Sequence, residues 1–234
     1  MTEIVPAILA TDFEELRQGV SKFVHVVPIV QIDICDGVFV PSSSWPYTEI
    51  KSGGSRNLDS ILNEEEGLPH WDSMAFELDL MVHDAHEYFD FFMKLGPKRI
   101  VFHIEAEGDN SKFKEFLESI DPYIRDSLEI GVAVDTHTDI QNLEPIILLV
   151  DFVQCMGIAR DGYQGEDFDE RCLSQIKSLH TKYPELIISV DGAVDDTTAP
   201  QLVDAGASRL VVGSFLADSY DAKDKIRYLQ SLHK

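Results

Sequence analysis

Eight short apolar segments punctuate the chain, separated by stretches whose apolar residues recur at helical spacing or by loops leading into them. Strands are read at 4–9, 28–35, 76–82, 99–104, 128–134, 151–156, 187–191 and 210–212. Between them, Phe13, Leu16, Val20 and Phe23 make one helical stripe, and Tyr88, Phe89, Phe92 and Leu95 another. Phe113, Phe116, Leu117 and Ile120 repeat the pattern, as do Leu173, Ile176 and Leu179, and then Leu202, Val203 and Ala205. Thr11-Asp12-Phe13-Glu14 has the spacing of a capping box, Gly96-Pro97 stops a helix, and a short helix is expected near 139–147. No linker or composition break interrupts the alternation, so residues 1–234 are read as one domain. Eight strands alternating with about as many helices predict an α/β chain closed into a single (β/α)8 TIM barrel. An open doubly wound sheet is the competing architecture, but no GxGxxG follows the first strand.

With 234 residues, 44% of them hydrophobic, the chain can build one substantial core. The least regular stretch runs from Ser42 to about Trp71, where Ile61-Leu62 suggests a short helix; it is either a lid or a long connection. No apolar run approaches the ~20 residues of a membrane span, and the N-terminus lacks a signal pattern, so no membrane partner is expected. Cys35, Cys155 and Cys172 are odd in number and widely spaced, which fits free thiols in a reducing cytoplasm. The net charge of −23 argues against nucleic-acid binding. It also means that an anionic substrate must be held by local dipoles; solubility or salt adaptation accounts for the charge itself.

The segment Val30-Gln31-Ile32-Asp33-Ile34-Cys35 alternates, so Gln31, Asp33 and Cys35 share the face opposite the apolar one. In a parallel barrel the C-terminal strand ends share one mouth, which gathers Gln31 and Asp33 with Asp79 and Asp191. Three converging carboxylates cannot all stay ionised without a cation or a proton. A metal site flanked by acid/base groups is one reading; carboxylates that only cap loops are the other. Gly192-Ala193 and Gly213-Ser214 follow the last two strands, where small residues let backbone N–H groups approach an anion, although Ser214 also suits a helix cap. His103 is a ligand, a base or, more simply, a hydrogen-bonded structural histidine. His83 and His86 read as solvated surface residues, and Arg160-Asp161 as either a phosphate contact or an exposed ion pair.

These residues are the ones by which the chain resembles the ribulose-phosphate 3-epimerase family. Pro6-Ala7-Ile8-Leu9-Ala10-Thr11-Asp12-Phe13 is similar to its opening block, and the run from Gln31 to Pro41 to its signature after strand 2. Leu80-Met81-Val82, Phe102-His103-Ile104-Glu105-Ala106, Val190-Asp191-Gly192-Ala193-Val194 and Val212-Gly213-Ser214 are similar to later blocks. The resemblance implies a barrel of the ribulose-phosphate-binding type that epimerises D-ribulose 5-phosphate and D-xylulose 5-phosphate at C3. It implies Asp33 and Asp191 as the acid/base pair, and one divalent metal on Gln31, Asp33, Asp79 and Asp191. It further implies Met81 and Met156 lining the pocket, and Gly192, Ala193, Gly213 and Ser214 cradling phosphate. Gly162, in the glycine-bearing loop 157–165, is expected to join the substrate contacts. A homo-oligomer is the expected assembly.

Four positions depart from the family. Gln31 and Asp79 stand where it has histidine ligands, Ala7 where it has a serine, and Cys35 where it has a pocket methionine. Among Mg, Mn, Fe and Zn, the loss of both imidazoles favours Mg²⁺ or Mn²⁺. Three aspartates leave a net −1 with the metal bound, which opposes an anionic enediolate and lowers turnover. The loop 159–165 is one residue longer than the family's. Two alternatives follow: an aldolase- or decarboxylase-like relative, which would place a lysine where Cys35 stands, and a non-catalytic sugar-phosphate-binding barrel.

Overall fold

The computed structural model describes residues 2–159, 166–217 and 219–233. Eight strands, β1 (Glu3–Ile8), β2 (Ile29–Cys35), β3 (Ala75–Met81), β4 (Arg99–His103), β5 (Glu129–Val134), β6 (Phe152–Met156), β7 (Ile187–Asp191) and β8 (Arg209–Val212), pair in sequence order. Every pair is parallel, and β8 returns to β1 through Glu3↔Arg209 to Pro6↔Val212, closing the barrel. The doubly wound alternative is thereby excluded.

Period-two alternation separates two cores. Even-numbered residues such as Ile32, Leu78, Ile100, Val132, Ile188 and Leu210 pack outward against the helices in one large cluster. The alternate positions face the barrel axis, where Val5, Ala7, Ile29 and Val211 form one small cluster and Val101, Ala133, Phe152 and Met156 another, the inward set being odd-numbered except in β6. Gly131 contributes by lacking a side chain: a Cβ there would lie 2.3 Å from the Phe152 ring, which occupies that space. The Arg209 guanidinium in turn lies 4.5 Å from the centre of the Phe152 ring.

The end of the barrel opposite the mouth is closed by charge. Arg99 reaches Glu3 and Glu129 at 2.9 Å each and Glu77 at 3.5 Å. Arg209 meets Glu3 at 2.8 Å, Glu129 at 3.6 Å and Glu77 at 3.7 Å. Three carboxylates share two guanidinium groups, and burial pushes the Glu77 carboxyl up to about 7 in spite of both arginines.

The helical layer departs from expectation in its details. The first helix, Phe13–Ser21, is capped by Asp12, whose side chain accepts from Glu15 N–H; Glu15 reaches back to Thr11 N–H at 2.9 Å. The capping box is therefore shifted by one residue from Thr11-Asp12-Phe13-Glu14. The stretch near 139–147 makes two 3-10 turns, Ile140–Leu143 and Ile147–Leu149, rather than one helix. The sequence reading does not include the five-residue helix Tyr47–Lys51, too short to show a period, or the C-terminal helix Ala222–Ser231, which buries Ile226 and Leu229. The irregular stretch after β2 is a packed connection. Its Trp45, Leu58, Ile61 and Leu68 are buried in the outer core, with Arg56–Leu62 helical as Ile61-Leu62 suggested.

Candidate active site

Strand register sets the floor of the barrel mouth. Asp33 pairs level with Asp79 across β2 and β3, and Met156 with Asp191 across β6 and β7. One carboxylate oxygen from each of Asp33, Asp79 and Asp191 lies within 4.8 Å of the others. Gln31, one inward position below Asp33, is fully buried, and its amide spans the floor. Its Nε2 donates to Asp33 Oδ1 at 2.8 Å and to Asp191 Oδ2 at 2.7 Å. One amide thus joins two carboxylates contributed by strands far apart in sequence. Asp79 Oδ1 lies 3.0 Å from His103 Nε2, both side chains being fully buried.

This packing costs energy when the carboxylates are charged. Burial, then the neighbouring Asp79 charge, push the Asp33 carboxyl up to about 7. Burial, followed by the charges of Asp33 and Asp79, holds the Asp191 carboxyl well above the usual carboxylate range. Both shifts run the same way because buried negative charges crowd one floor. Two buried oxygens, Gln31 Oε1 and Asp79 Oδ2, accept no hydrogen bond from the described residues. Unmet acceptors beside three crowded carboxylates fit a divalent cation, whose charge would offset the crowding and whose coordination would satisfy both. Every donor in the expected set Gln31, Asp33, Asp79 and Asp191 is an oxygen.

Above this floor is a cleft with about 610 Å³ of open space. Asp33, Asp79 and Asp191 line it together with Met81, Met156, Gly192, Ala193, Gly213 and Ser214, so the residues read from five strand ends meet in one cavity. Its walls also include Leu9, Ile158, Val194 and Val211, none of which carries a chemical signal in the sequence; only their inward or loop positions mark them. Gly192 and Ala193 are consecutive residues at φ 99° and 51°. That left-handed pair bends the exit of β7 so that successive backbone N–H groups can face an anion. The turn is close-packed: a Cβ on Gly157 would stand 2.1 Å from Gly192 O. Gly162, Arg160 and Asp161 lie outside the described residues.

The β2 exit is held by side chains near the cleft. Asp36 Oδ1 accepts from Val38 and Phe39 N–H, and its Oδ2 from His83 N–H at 2.9 Å. Ser44 Oγ donates to Asp33 O and accepts from Cys35 N–H. Cys35 itself is buried against Val40 and Met81, behind the cleft rather than on its wall, and burial pushes its thiol up to about 12, which does not suit a nucleophile. His103, expected to be hydrogen-bonded, is so, and its partner is a carboxylate of the floor. His86 is not solvated: its side chain is 10% exposed and its Nδ1 is in hydrogen-bond contact with Glu107. The residues after β3 turn inward there, against Phe113 and Phe116. His83 is half exposed, as read.

The profile of the Ribulose-phosphate 3 epimerase family matches residues 3–217. A ribulose-phosphate 3-epimerase of Chlamydia pneumoniae is 30% identical over 231 residues, covering 95% of this chain and 88% of the relative. The enzyme of that name from Eremothecium gossypii is 26% identical over 228 residues, covering 97% and 91%. Among solved structures, a 3-hexulose-6-phosphate synthase superposes with a TM-score of 0.66 at 18% identity, covering all of both chains. The 3-keto-L-gulonate-6-phosphate decarboxylase of Vibrio cholerae gives 0.67 at 10% identity, covering 99% of this chain and 97% of the other. At those identities the structures speak for the barrel alone, whereas the profile and the sequence relatives span nearly the whole chain. The chain belongs to the ribulose-phosphate 3-epimerase family.

Proposed function

We propose that this protein epimerises a ketose phosphate at C3, interconverting D-ribulose 5-phosphate and D-xylulose 5-phosphate, by proton exchange between Asp33 and Asp191. The observation that carries the reading is the Gln31 amide bonded to both carboxylates on the floor of a cavity walled by small residues. Epimerisation requires a base on one face of the substrate and an acid on the other, each changing role in the reverse direction. Asp33 and Asp191, both pushed up by burial and by neighbouring carboxylate charge, are suited to alternate as base and acid. Gln31 fixes their separation through its two N–H bonds, and Met81 and Met156 keep the reacting carbon in a water-poor setting.

Gln31, Asp33, Asp79 and Asp191 would hold one divalent cation, which when bound stabilises negative charge developing on the substrate oxygens. An oxygen-only donor set favours Mg²⁺ or Mn²⁺ over Zn²⁺. Asp79, paired to His103, adds charge to the site without touching the exchanged proton. The backbone of Gly192, Ala193, Gly213 and Ser214 would receive the phosphate, and Gly162, outside the described residues, is proposed as a further contact on the family resemblance alone. This local cradle is what lets a chain of net charge −23 bind an anion. A cytoplasmic setting is supported by three free buried cysteines and, among the described residues, by the lack of any helix long and apolar enough to cross a membrane.

The test is deuterium exchange at C3 of D-ribulose 5-phosphate in D₂O, followed by NMR with Mn²⁺ or Mg²⁺ supplied. Exchange by the wild type that falls at least a hundredfold in Asp33→Asn and in Asp191→Asn is expected. Binding of the sugar phosphate without exchange would leave a non-catalytic barrel.

A further inference from the structure

The turn after β3 reads His83-Asp84-Ala85-His86, and the segment after β4 brings Glu107 against it. One oxygen each from Asp84 and Glu107 and one ring nitrogen of His86 lie within 4.8 Å of one another. The cluster is built from both loops. Asp84 Oδ1 accepts from Gly108 N–H at 2.8 Å, and Asp84 Oδ2 stands 3.2 Å from His83 Nε2. Phe113 and Phe116 pack against the His86 ring with centroids 6.0 and 5.6 Å away.

An ion pair between His86 and Glu107 explains only part of this arrangement. Glu107 is 5% exposed, its side chain fully buried; Oε2 meets His86, but Oε1 accepts no hydrogen bond from the described residues. Leaving a buried carboxylate oxygen unmet is costly, because it has lost its water and gained no donor. Charge tells the same way. A protonated His86 beside two carboxylates leaves a net −1 in a partly dry pocket, whereas a neutral imidazole with a divalent ion leaves none. The ion would also give the second oxygen of Glu107 a partner.

We propose that Asp84, His86 and Glu107 form a second divalent-cation site, separate from the barrel mouth, that takes zinc or a similar borderline first-row ion. One imidazole and two carboxylates make a three-ligand set of the kind zinc accepts, and His83 beside Asp84 offers a fourth donor. The donor chemistry differs from that of the mouth, where the expected ligands are all oxygens, so the two sites sort hard from borderline ions. A cation here staples the loop after β3, the strand of Asp79, to the loop after β4, the strand of His103. The inference rests on Glu107 and its neighbours and is independent of the epimerase reading.

The experiment uses full-length protein stripped with chelator, then dialysed against Zn²⁺ and counted by mass spectrometry. Wild type and Asp33→Asn are expected to retain a zinc equivalent whose affinity drops at least tenfold in His86→Ala and in Glu107→Gln. The zinc-edge X-ray absorption of Asp33→Asn should show an imidazole nitrogen at about 2.0–2.1 Å, and zinc should raise the melting temperature of Asp33→Asn but not of the Asp33→Asn/His86→Ala double variant. Glu107→Gln is nearly isosteric, so circular dichroism separates lost binding from lost folding. Zinc uptake that both variants leave unchanged, or an absorption edge without imidazole, overturns the site and leaves an ion pair only.

Discussion

Replacing Asp79 with asparagine removes one of three carboxylates from the barrel floor while keeping an oxygen to face His103, 3.0 Å away. The Asp79 charge is the second cause, after burial, that raises Asp33, and it also raises Asp191. Unit charges 4.8 Å apart, the limit within which these oxygens lie, repel by roughly 3.5 kcal/mol at an effective dielectric of about 20. Asp33 titrates at about 7 in the fold against an ordinary 3.8, so between those values the folded chain binds more protons than the unfolded one. Metal-free stability is therefore full below the unfolded value and falls as pH rises through that window. The whole shift corresponds to roughly 4 kcal/mol. The Asp79→Asn variant should recover about 2–3 kcal/mol at pH 8 and almost nothing at pH 4, where the raised Asp33 and Asp191 no longer carry charge for it to repel. Urea unfolding in chelator at pH 4, 6 and 8 measures this directly. With saturating Mn²⁺ the order at pH 8 should reverse, because the wild type binds the cation more tightly. A gain that is independent of pH, or a variant less stable than wild type at pH 8 without metal, would refute the crowding argument.

Three further outcomes follow from other parts of the molecule. Gly157→Ala sets a Cβ against Gly192 O at 2.1 Å, and should cost about 1–3 kcal/mol by thermal melting while raising KM for the sugar phosphate more than it lowers kcat. Arg209→Met leaves Glu77 buried with only Arg99 beside it; urea unfolding at pH 8 should show a loss of about 3–5 kcal/mol that narrows as pH falls through about 7, where Glu77 takes up its proton. Gln31→His adds an imidazole to an oxygen-only set and should shift competition dialysis toward Zn²⁺ over Mn²⁺ by at least tenfold at the barrel mouth; unchanged selectivity would mean that position 31 holds no metal.

Much of the architecture was legible in local pattern. Period-two alternation placed Gln31, Asp33 and Asp79 on a common face, and helical stripes marked where the outer layer begins, because both signals depend only on backbone repeat and apolar spacing. Cap positions slipped by a residue at Asp12, where neighbouring Thr11 and Asp12 are both competent caps and only the backbone angle chooses between them. The packed stretch from Trp45 to Leu68 was legible only in part, since its burial comes from contact with the outer core rather than from a period of its own.

Proximity across the chain was a different matter. Gln31 and Asp191 are 160 positions apart, and their 2.7 Å contact exists because the strands close into a ring of matched register. His86 reads as a surface residue because its neighbours in sequence are polar; it is enclosed by Glu107, Phe113 and Phe116 from beyond the next strand. The sequence alone determined which residue types stand at the strand ends and which face each strand presents. Which carboxyls crowd one another and which buried oxygens are left unmet emerges only on folding, because those depend on distances and dielectric that closure of the barrel creates.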